Sequence, residues 1–225
     1  MSTHEPSLYK RSQVEHALVS IERVGGTPDR ATRANLKRLL DLDRKPRAEK
    51  RSWAHEHFAF YDEAAPGHGA EIAYRAYHAF ALLVGLRLLK GGVTQSYALK
   101  VLRDLRPALE PAFVRVTAQP AWALRPDLTE AARATRVRDG YLLGSPDGMA
   151  FLVVRAGTSA DFPIGPDPDD PGLETTEICL FAELAQQLVY FSHMGQAAVV
   201  LELVNAAYQL LDILPRMQAR RRGRP

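Results

Sequence analysis

Two glycine pairs, Gly25-Gly26 and Gly91-Gly92, constrain this chain more than any other feature. Glycine leaves the right-handed helical region at no steric cost, so a pair of them stops a helix. A threonine follows each pair, Thr27 and Thr94, and its side chain suits a helix N-cap. Pro28 fits the first helical position after Thr27. Apolar residues recur at helical spacing on both sides of each pair. The pattern predicts a first helix from Ser12, as cap, to about Val24, with Val14, Ala17, Leu18 and Ile21 inward. A second helix is predicted from Thr27-Pro28 to Asp43 or Arg44, on Leu36, Leu39, Leu40 and Leu42. Around the second pair, one helix is expected over about 73–90. Another, capped by Thr94, should reach about Leu109 on Ala98, Val101, Leu102 and Leu105.

The rest is less regular. Residues 65–69 read as a turn, and 58–61 and 71–74 as short strands flanking it. After Pro111 the composition changes. A short strand is expected at 113–116 and a polar helix at 129–138. Tyr141–Leu143 and Met149–Arg155 form the clearest hairpin pattern, joined by Gly144–Gly148. Residues 161–172 hold four prolines and four aspartates and read as a loop. Residues 178–214 should be mainly helix, entered through a short strand and broken near Gly195. The expected fold is mainly α with short β-hairpins. It has a helix-turn-helix-like region over 1–111, an α+β region for dimerisation or partner binding over 112–215, and a basic tail over 216–225.

At 225 residues and 46% hydrophobic content, the chain can bury a core of one large or two small domains. One cysteine, Cys179, excludes an internal disulfide framework and suits the reducing cytoplasm. No N-terminal signal pattern is visible, and no apolar run is long enough to span a membrane. The net charge of +3 conceals a segregation. Residues 1–50 carry 11 basic and 7 acidic side chains, and residues 216–225 carry five arginines and no carboxylate. Residues 51–215 carry 13 basic and 19 acidic side chains. An acidic body with basic ends points to a polyanionic partner touched by the ends.

Two elements carry that reading. Arg30, Arg33, Lys37 and Arg38 stand at offsets of 0, 3, 7 and 8 and share one face of the second predicted helix. Arginine forks onto guanine or phosphate, while a lysine there positions the backbone. The second element is Arg220, Arg221, Arg222, Gly223 and Arg224, followed by Pro225. Arg-Gly-Arg-Pro resembles the core of an AT-hook. The resemblance implies a glycine seated near the floor of an A·T-rich minor groove, with arginines reaching into it.

The order helix, turn, helix, strand pair, long helix, glycine turn and helix is similar to the MerR-type winged helix-turn-helix. The resemblance covers about residues 8–110. Leu8-Tyr9-Lys10-Arg11-Ser12-Gln13-Val14 occupies the place of the family's Tyr-containing first helix start. Tyr77-His78-Ala79-Phe80, Gly85-Leu86-Arg87-Leu88-Leu89, Gly92-Val93-Thr94 and Ala98-Leu99-Lys100-Val101-Leu102 follow in the family's order. The chain departs from the family in its glycine-rich first turn and in the long charged stretch before the wing. The resemblance implies a DNA-binding transcriptional regulator of bacterial type, with the second helix as reader.

Other constellations point elsewhere. His55-Glu56-His57 lacks local third and fourth ligands for a metal, with only His68 or His78 to supply them. Cys179 sits in an apolar run and reads as a buried, inert thiol. Trp53, Phe58, Phe60 and Tyr61 read as core rather than as a stacking surface. No nucleophile elbow, phosphate loop or dinucleotide fingerprint is present, so no enzyme and no cofactor is expected. The expected partners are double-stranded DNA and a second copy of the chain. Two readings stand for the apolar residues Val199, Val200, Leu203, Ala207, Leu210 and Leu211: a dimer-forming helix, or an ordinary core helix. The alternative function is a non-enzymatic adaptor that docks a partner with that helix and the hairpin, so that charges at Leu203 and Leu210 should abolish capture.

Overall fold

The computed structural model describes residues 7–22, 30–44, 58–63, 72–118, 149–155, 176–180 and 198–218, with isolated positions near 129–135 and 183–186. These residues are mainly helical, with short antiparallel strand pairs. The order is β1 (Tyr9–Lys10), α1 (Arg11–Ile21), α2 (Arg30–Asp43), β2 (Ala73–Tyr74), α3 (Ala76–Lys90), α4 (Gln95–Thr117), β3 (Ala150–Arg155), β4 (Thr176–Leu180), β5 (Ala198–Glu202) and α5 (Val204–Ile213). A 3-10 turn, Leu214–Arg216, ends α5.

Helix α3 is the centre of the molecule. Tyr77 to Leu86 and Leu88 are all buried, because α1, α2, α4, α5 and β5 pack around it. A helix apolar on every side must be enclosed, and this one is. Gly85 lets its neighbours come close. A methyl there would lie 3.1 Å from Leu102 and 3.2 Å from Leu39, on α4 and α2. The glycine break after α3 forms as the sequence predicts. Gly92 adopts φ 91°, its N–H donates to the Leu89 carbonyl (3.1 Å), and the Val93 N–H donates to the Leu88 carbonyl (3.0 Å). That pairing satisfies two carbonyls the helix end leaves open. Thr94 occupies the N-cap position of α4, but its side chain makes no capping hydrogen bond.

Helices α1 and α3 begin by one device. Lys10 precedes α1, and its N–H donates to Gln13 Oε1 (2.9 Å). Arg75 precedes α3, and its N–H donates to His78 Nδ1 (3.2 Å). In each case the third helical residue reaches back to the chain before the helix. Ser12 therefore lies inside α1 and is not its cap. Strand β1 pairs antiparallel with β2, Tyr9 opposite Tyr74 and Lys10 opposite Ala73, so α1 and α3 leave one ribbon side by side.

The expected wing is not formed. Residues 58–61 are not a strand, and β2 pairs with β1 instead. Side chains take the place of a partner strand. Asp43 accepts from the N–H groups of Ala59 (3.3 Å) and Phe60 (2.9 Å), and Arg106 donates to the carbonyls of Phe58 (2.5 Å) and Tyr61. Phe60 and Tyr61 are buried, as a core role for these aromatics requires. Trp53 lies outside the described residues.

Three further expectations are corrected. Helix α4 does not end near Leu109. It continues to Thr117, so residues 113–116 are helix, and the expected boundary at 111 falls inside an element. Pro107 and Pro111 sit four residues apart on its exposed side. Their missing hydrogen bonds are outweighed by the burial of Leu109, Ala112 and Phe113, with Phe113 stacked on Phe80 at 4.8 Å. Near the helix end, the Tyr208 hydroxyl donates to the Val116 carbonyl (2.8 Å).

Within 178–214 the expected entry strand forms as β4, and residues 183, 184, 186 and Val204–Ile213 are helical, but Ala198–Glu202 is strand β5 where helix was expected. Residues 187–197, with the expected break near Gly195, lie outside the described residues. β-branched residues at 199 and 200 alternate between sheet faces: Val199 joins the main core, while Val200 packs with Met149, Phe151 and Val153 on the other face. Strand β3 is the middle of this sheet, in the order β4-β3-β5. Leu152 lies opposite Ile178 on one side and Leu201 on the other. Both edges of β3 are taken, and the expected hairpin arm at 141–143 lies outside the described residues.

Candidate nucleic-acid interface

Helix α2 separates its two faces sharply. Leu36, Leu39 and Leu40 are buried against α3 and α4, and Thr32 and Asp43 lie on the same side. Asp43 is fully buried and closes that side. Its carboxylate accepts from Arg103 Nε (2.8 Å), and its carbonyl accepts from Arg103 Nη2 (3.0 Å). The opposite side carries Arg30, Arg33, Lys37 and Arg38, all exposed. Exposed Arg44 extends the stripe just past the helix end; its Nε donates to the Tyr61 hydroxyl (3.3 Å) and its guanidinium lies over the Tyr61 ring. Sequence reasoning gave Arg44 only as a helix end. Its offset of 14 from Arg30 returns it to the same face. Ala34 lies exposed between the cations, and Asp41 is a half-buried acid near the far end of the stripe.

Several other described cations make a contrast. Arg11 pairs with Glu15 (2.7 Å), Arg87 and Lys90 with the buried Glu22, and Arg103 with Asp43. Arg75 and Arg106 both bind Asp62 and Glu110. Arg216 pairs with Asp212. Among the described residues no carboxylate pairs with Arg30, Arg33, Lys37 or Arg38. Among the described residues, exposed cations without a paired carboxylate therefore cluster along α2, with Arg115 of α4 a separate case. From Arg30 to Arg38 the cluster spans about 12 Å, or three to four base-pair steps of duplex.

The other polar groups are built for structure. His78 is buried, and both of its ring nitrogens are engaged: Nδ1 by the Arg75 N–H and Nε2 by Asp62 (3.2 Å). Burial lowers its pKa to about 4, with Arg75 and Arg106 adding to the effect and Asp62 opposing it. Burial alone would raise the Asp62 carboxyl, but hydrogen bonds from Arg75 and Arg106 and the nearby His78 bring it below the ordinary carboxylate range. Burial raises the hydroxyl pKa of Tyr74 and of Tyr77. Among the described residues no group of three His, Cys, Asp or Glu side chains is placed to hold a metal ion. His55, His57 and His68 lie outside those residues. Cys179 lies within β4.

The basic segment Arg220, Arg221, Arg222, Gly223 and Arg224 also lies outside the described residues, but its point of departure does not. The Met217 carbonyl accepts from Gln13 Nε2 (2.7 Å), on the first turn of α1. Gln13 was not singled out from the sequence, and nothing in its spacing signals a contact 204 residues away. The apolar residues proposed for a dimer or partner surface are spent inside the chain. Leu203, Ala207 and Leu210 are buried in the main core with Val199, and Leu211 packs against it. No helix among the described residues is long and apolar enough to cross a membrane. No protein-family model, curated protein or solved structure matches this chain.

Proposed function

We propose that this chain binds duplex DNA through the outer face of α2, as a dimeric, sequence-reading transcriptional regulator of bacterial type. One observation carries the reading: among the described residues Arg11, Arg75, Arg87, Lys90, Arg103 and Arg106 are paired with carboxylates, while Arg30, Arg33, Lys37 and Arg38 stand exposed together on one face of α2 without a carboxylate partner. Exposed Arg115 of α4 has no such partner either, but stands apart from that cluster. Keeping like charges together without neutralisation costs self-repulsion, which an anionic partner relieves. Helix α2 packs on α1, α3 and α4 through its leucine side, so its basic side is presented on a rigid support. The segment 220–224 adds a second grip on phosphates or on an A·T-rich minor groove.

For the adaptor alternative, Leu203 and Leu210 are buried in the chain's own core, which takes those two side chains from a docking face. The test is a mobility shift on genomic fragments at several salt concentrations. Binding that weakens with salt and favours some fragments supports a sequence reader. Absence of binding even at low salt overturns the reading. A steep salt slope with no preference among fragments makes the chain an architectural binder instead.

A further inference from the structure

We propose that Tyr61 is a positioning residue: it holds the Arg44 guanidinium, charge intact, at the end of the α2 stripe as a clamp for one more phosphate of the duplex. This inference rests on the DNA-binding reading above. What sets Arg44 apart is the kind of group that fixes it. Arg11, Arg75, Arg87, Arg103, Arg106 and Arg216 are each fixed by a carboxylate, which neutralises them. Arg44 is fixed by a phenol. Its Nε donates to the Tyr61 hydroxyl (3.3 Å), and its guanidinium carbon lies 5.7 Å from the centre of the Tyr61 ring. A phenol hydroxyl carries no charge, so the contact orders the arginine without cancelling it.

The phenol is itself a firm support. Tyr61 is 3% exposed. Its ring meets Phe58 edge-on (6.3 Å between centroids) and packs against Tyr74 (5.9 Å), and its carbonyl accepts from Arg106. The backbone of Arg44 is also held, because its N–H donates to the Leu40 carbonyl (3.3 Å) and so continues the helical pattern. Backbone, Nε and one face of the guanidinium are therefore all occupied. The side chain is exposed, and its Nη1 and Nη2 groups are left for a ligand.

Position decides what that ligand is. Arg44 lies about 9 Å beyond Arg38 and about 21 Å beyond Arg30 along the helix direction. With it, the stripe covers about six base-pair steps instead of three to four. Two Nη groups side by side match two oxygens of a phosphate. Such a contact reads no sequence; it fixes the register of the duplex at one end of α2 while Arg30 grips at the other. A loose arginine must be ordered when it binds. One already held avoids that loss, which corresponds to about two- to tenfold in affinity.

The test uses the full-length chain and a fluorescent duplex of mixed sequence, since a backbone contact needs no particular site. Anisotropy over a series of salt concentrations gives the affinity and the salt slope. Wild type, Tyr61→Phe, Arg44→Ala and the double variant are compared, with thermal melting as the check on folding. Arg44→Ala should bind about three- to tenfold more weakly and lower the slope by about 0.9, the value of one phosphate contact. Tyr61→Phe keeps the ring and every charge but removes the acceptor. It should bind about two- to fivefold more weakly with the slope unchanged. In the Arg44→Ala background it should weaken binding no further, whereas a merely structural tyrosine would weaken both backgrounds alike. If Tyr61→Phe does not fold, Arg44→Lys takes its place: it keeps the charge but has no Nε–H for the hydroxyl to hold. It should lose affinity with the slope unchanged, and binding as tight as wild type overturns the proposal. A wild type that leaves the duplex free at low salt overturns the DNA reading and this inference with it. Where wild type binds, this inference alone is overturned by an unmoved slope in Arg44→Ala, by a Tyr61→Phe chain as tight as wild type, or by equal damage from Tyr61→Phe without Arg44.

Discussion

Asp43 shows how one side chain can hold together segments distant in sequence. It ends α2, binds Arg103 of α4, and accepts from the backbone of Ala59 and Phe60. Asp43→Ala would leave a buried guanidinium and two buried N–H groups without their acceptor. We expect a loss of about 3–5 kcal/mol in a denaturant titration, because unpaired buried charge is the costly case. Loss of less than about 1 kcal/mol would mean that water replaces the carboxylate. His78 predicts a pH dependence. Its folded pKa, about 4, lies below its ordinary value of 6.5. Above pH 6.5 the histidine is neutral in both states, and its neutral contacts count in full. As pH falls from 6.5 towards 4, the unfolded chain takes up the proton first, and stability drops by up to about 3 kcal/mol. His78→Gln, measured by thermal melting across that range, should flatten the dependence.

At the scale of elements, two contacts carry predictions. Gly91 ends α3 against β5, and a methyl at that position would lie 2.8 Å from Val199 Cγ1. A β-branched strand residue cannot rotate freely out of the way. Gly91→Ala should therefore cost about 1–3 kcal/mol in chemical denaturation, although its φ of −74° suits alanine. A neutral result would show that β5 shifts at little cost. Helix α2 carries the second prediction. Replacing Arg30, Arg33, Lys37 and Arg38 by alanine should leave melting nearly unchanged, since all four are exposed. It should lower the salt slope of duplex binding by about 3–4, at about 0.9 per phosphate contact. A slope that does not move would assign the contact to another surface. These helices were legible because leucines at helical spacing and the Gly91-Gly92 pair are local signals; Gly25-Gly26 and Thr27-Pro28 lie outside the described residues. Strand β3 was legible as well, in the apolar run 149–155, and β4 in the expected entry strand, but β5 and the pairing of β1 with β2 were not. Residues 58–61 read as a strand flanking the turn expected at 65–69, yet Asp43 and Arg106 bind their backbone, and neither residue is near them in sequence.

At the scale of the whole molecule, one core joins Val14 of α1 to Leu214 after α5. Residues 198–214 therefore complete the same core that supports α2. Leu210→Asp should cost more than about 4 kcal/mol and abolish cooperative unfolding, since it buries an unpaired charge at a fully enclosed position. A folded Leu210→Asp chain that had lost only partner binding would restore the adaptor reading. The sequence described the apolar residues of this stretch correctly as a class. It did not say which way they turn, because a run such as Val199-Val200-Leu201 is compatible with either period until its neighbours are known.

The sequence by itself determined that the chain is mainly helical, where the helices break at Gly91-Gly92, and that Arg30, Arg33, Lys37 and Arg38 share a face. Each follows from spacing within a few residues, and local geometry is enough to settle it. Only the tertiary structure decided that Arg30, Arg33, Lys37 and Arg38 stay without a carboxylate partner while Arg75, Arg87, Lys90, Arg103 and Arg106 meet carboxylates from distant segments. It alone decided that 198–202 is a strand within the common core, and that Met217 is held at Gln13. Those outcomes depend on which distant groups arrive together, and that choice is made by burial across the whole chain rather than by any one segment.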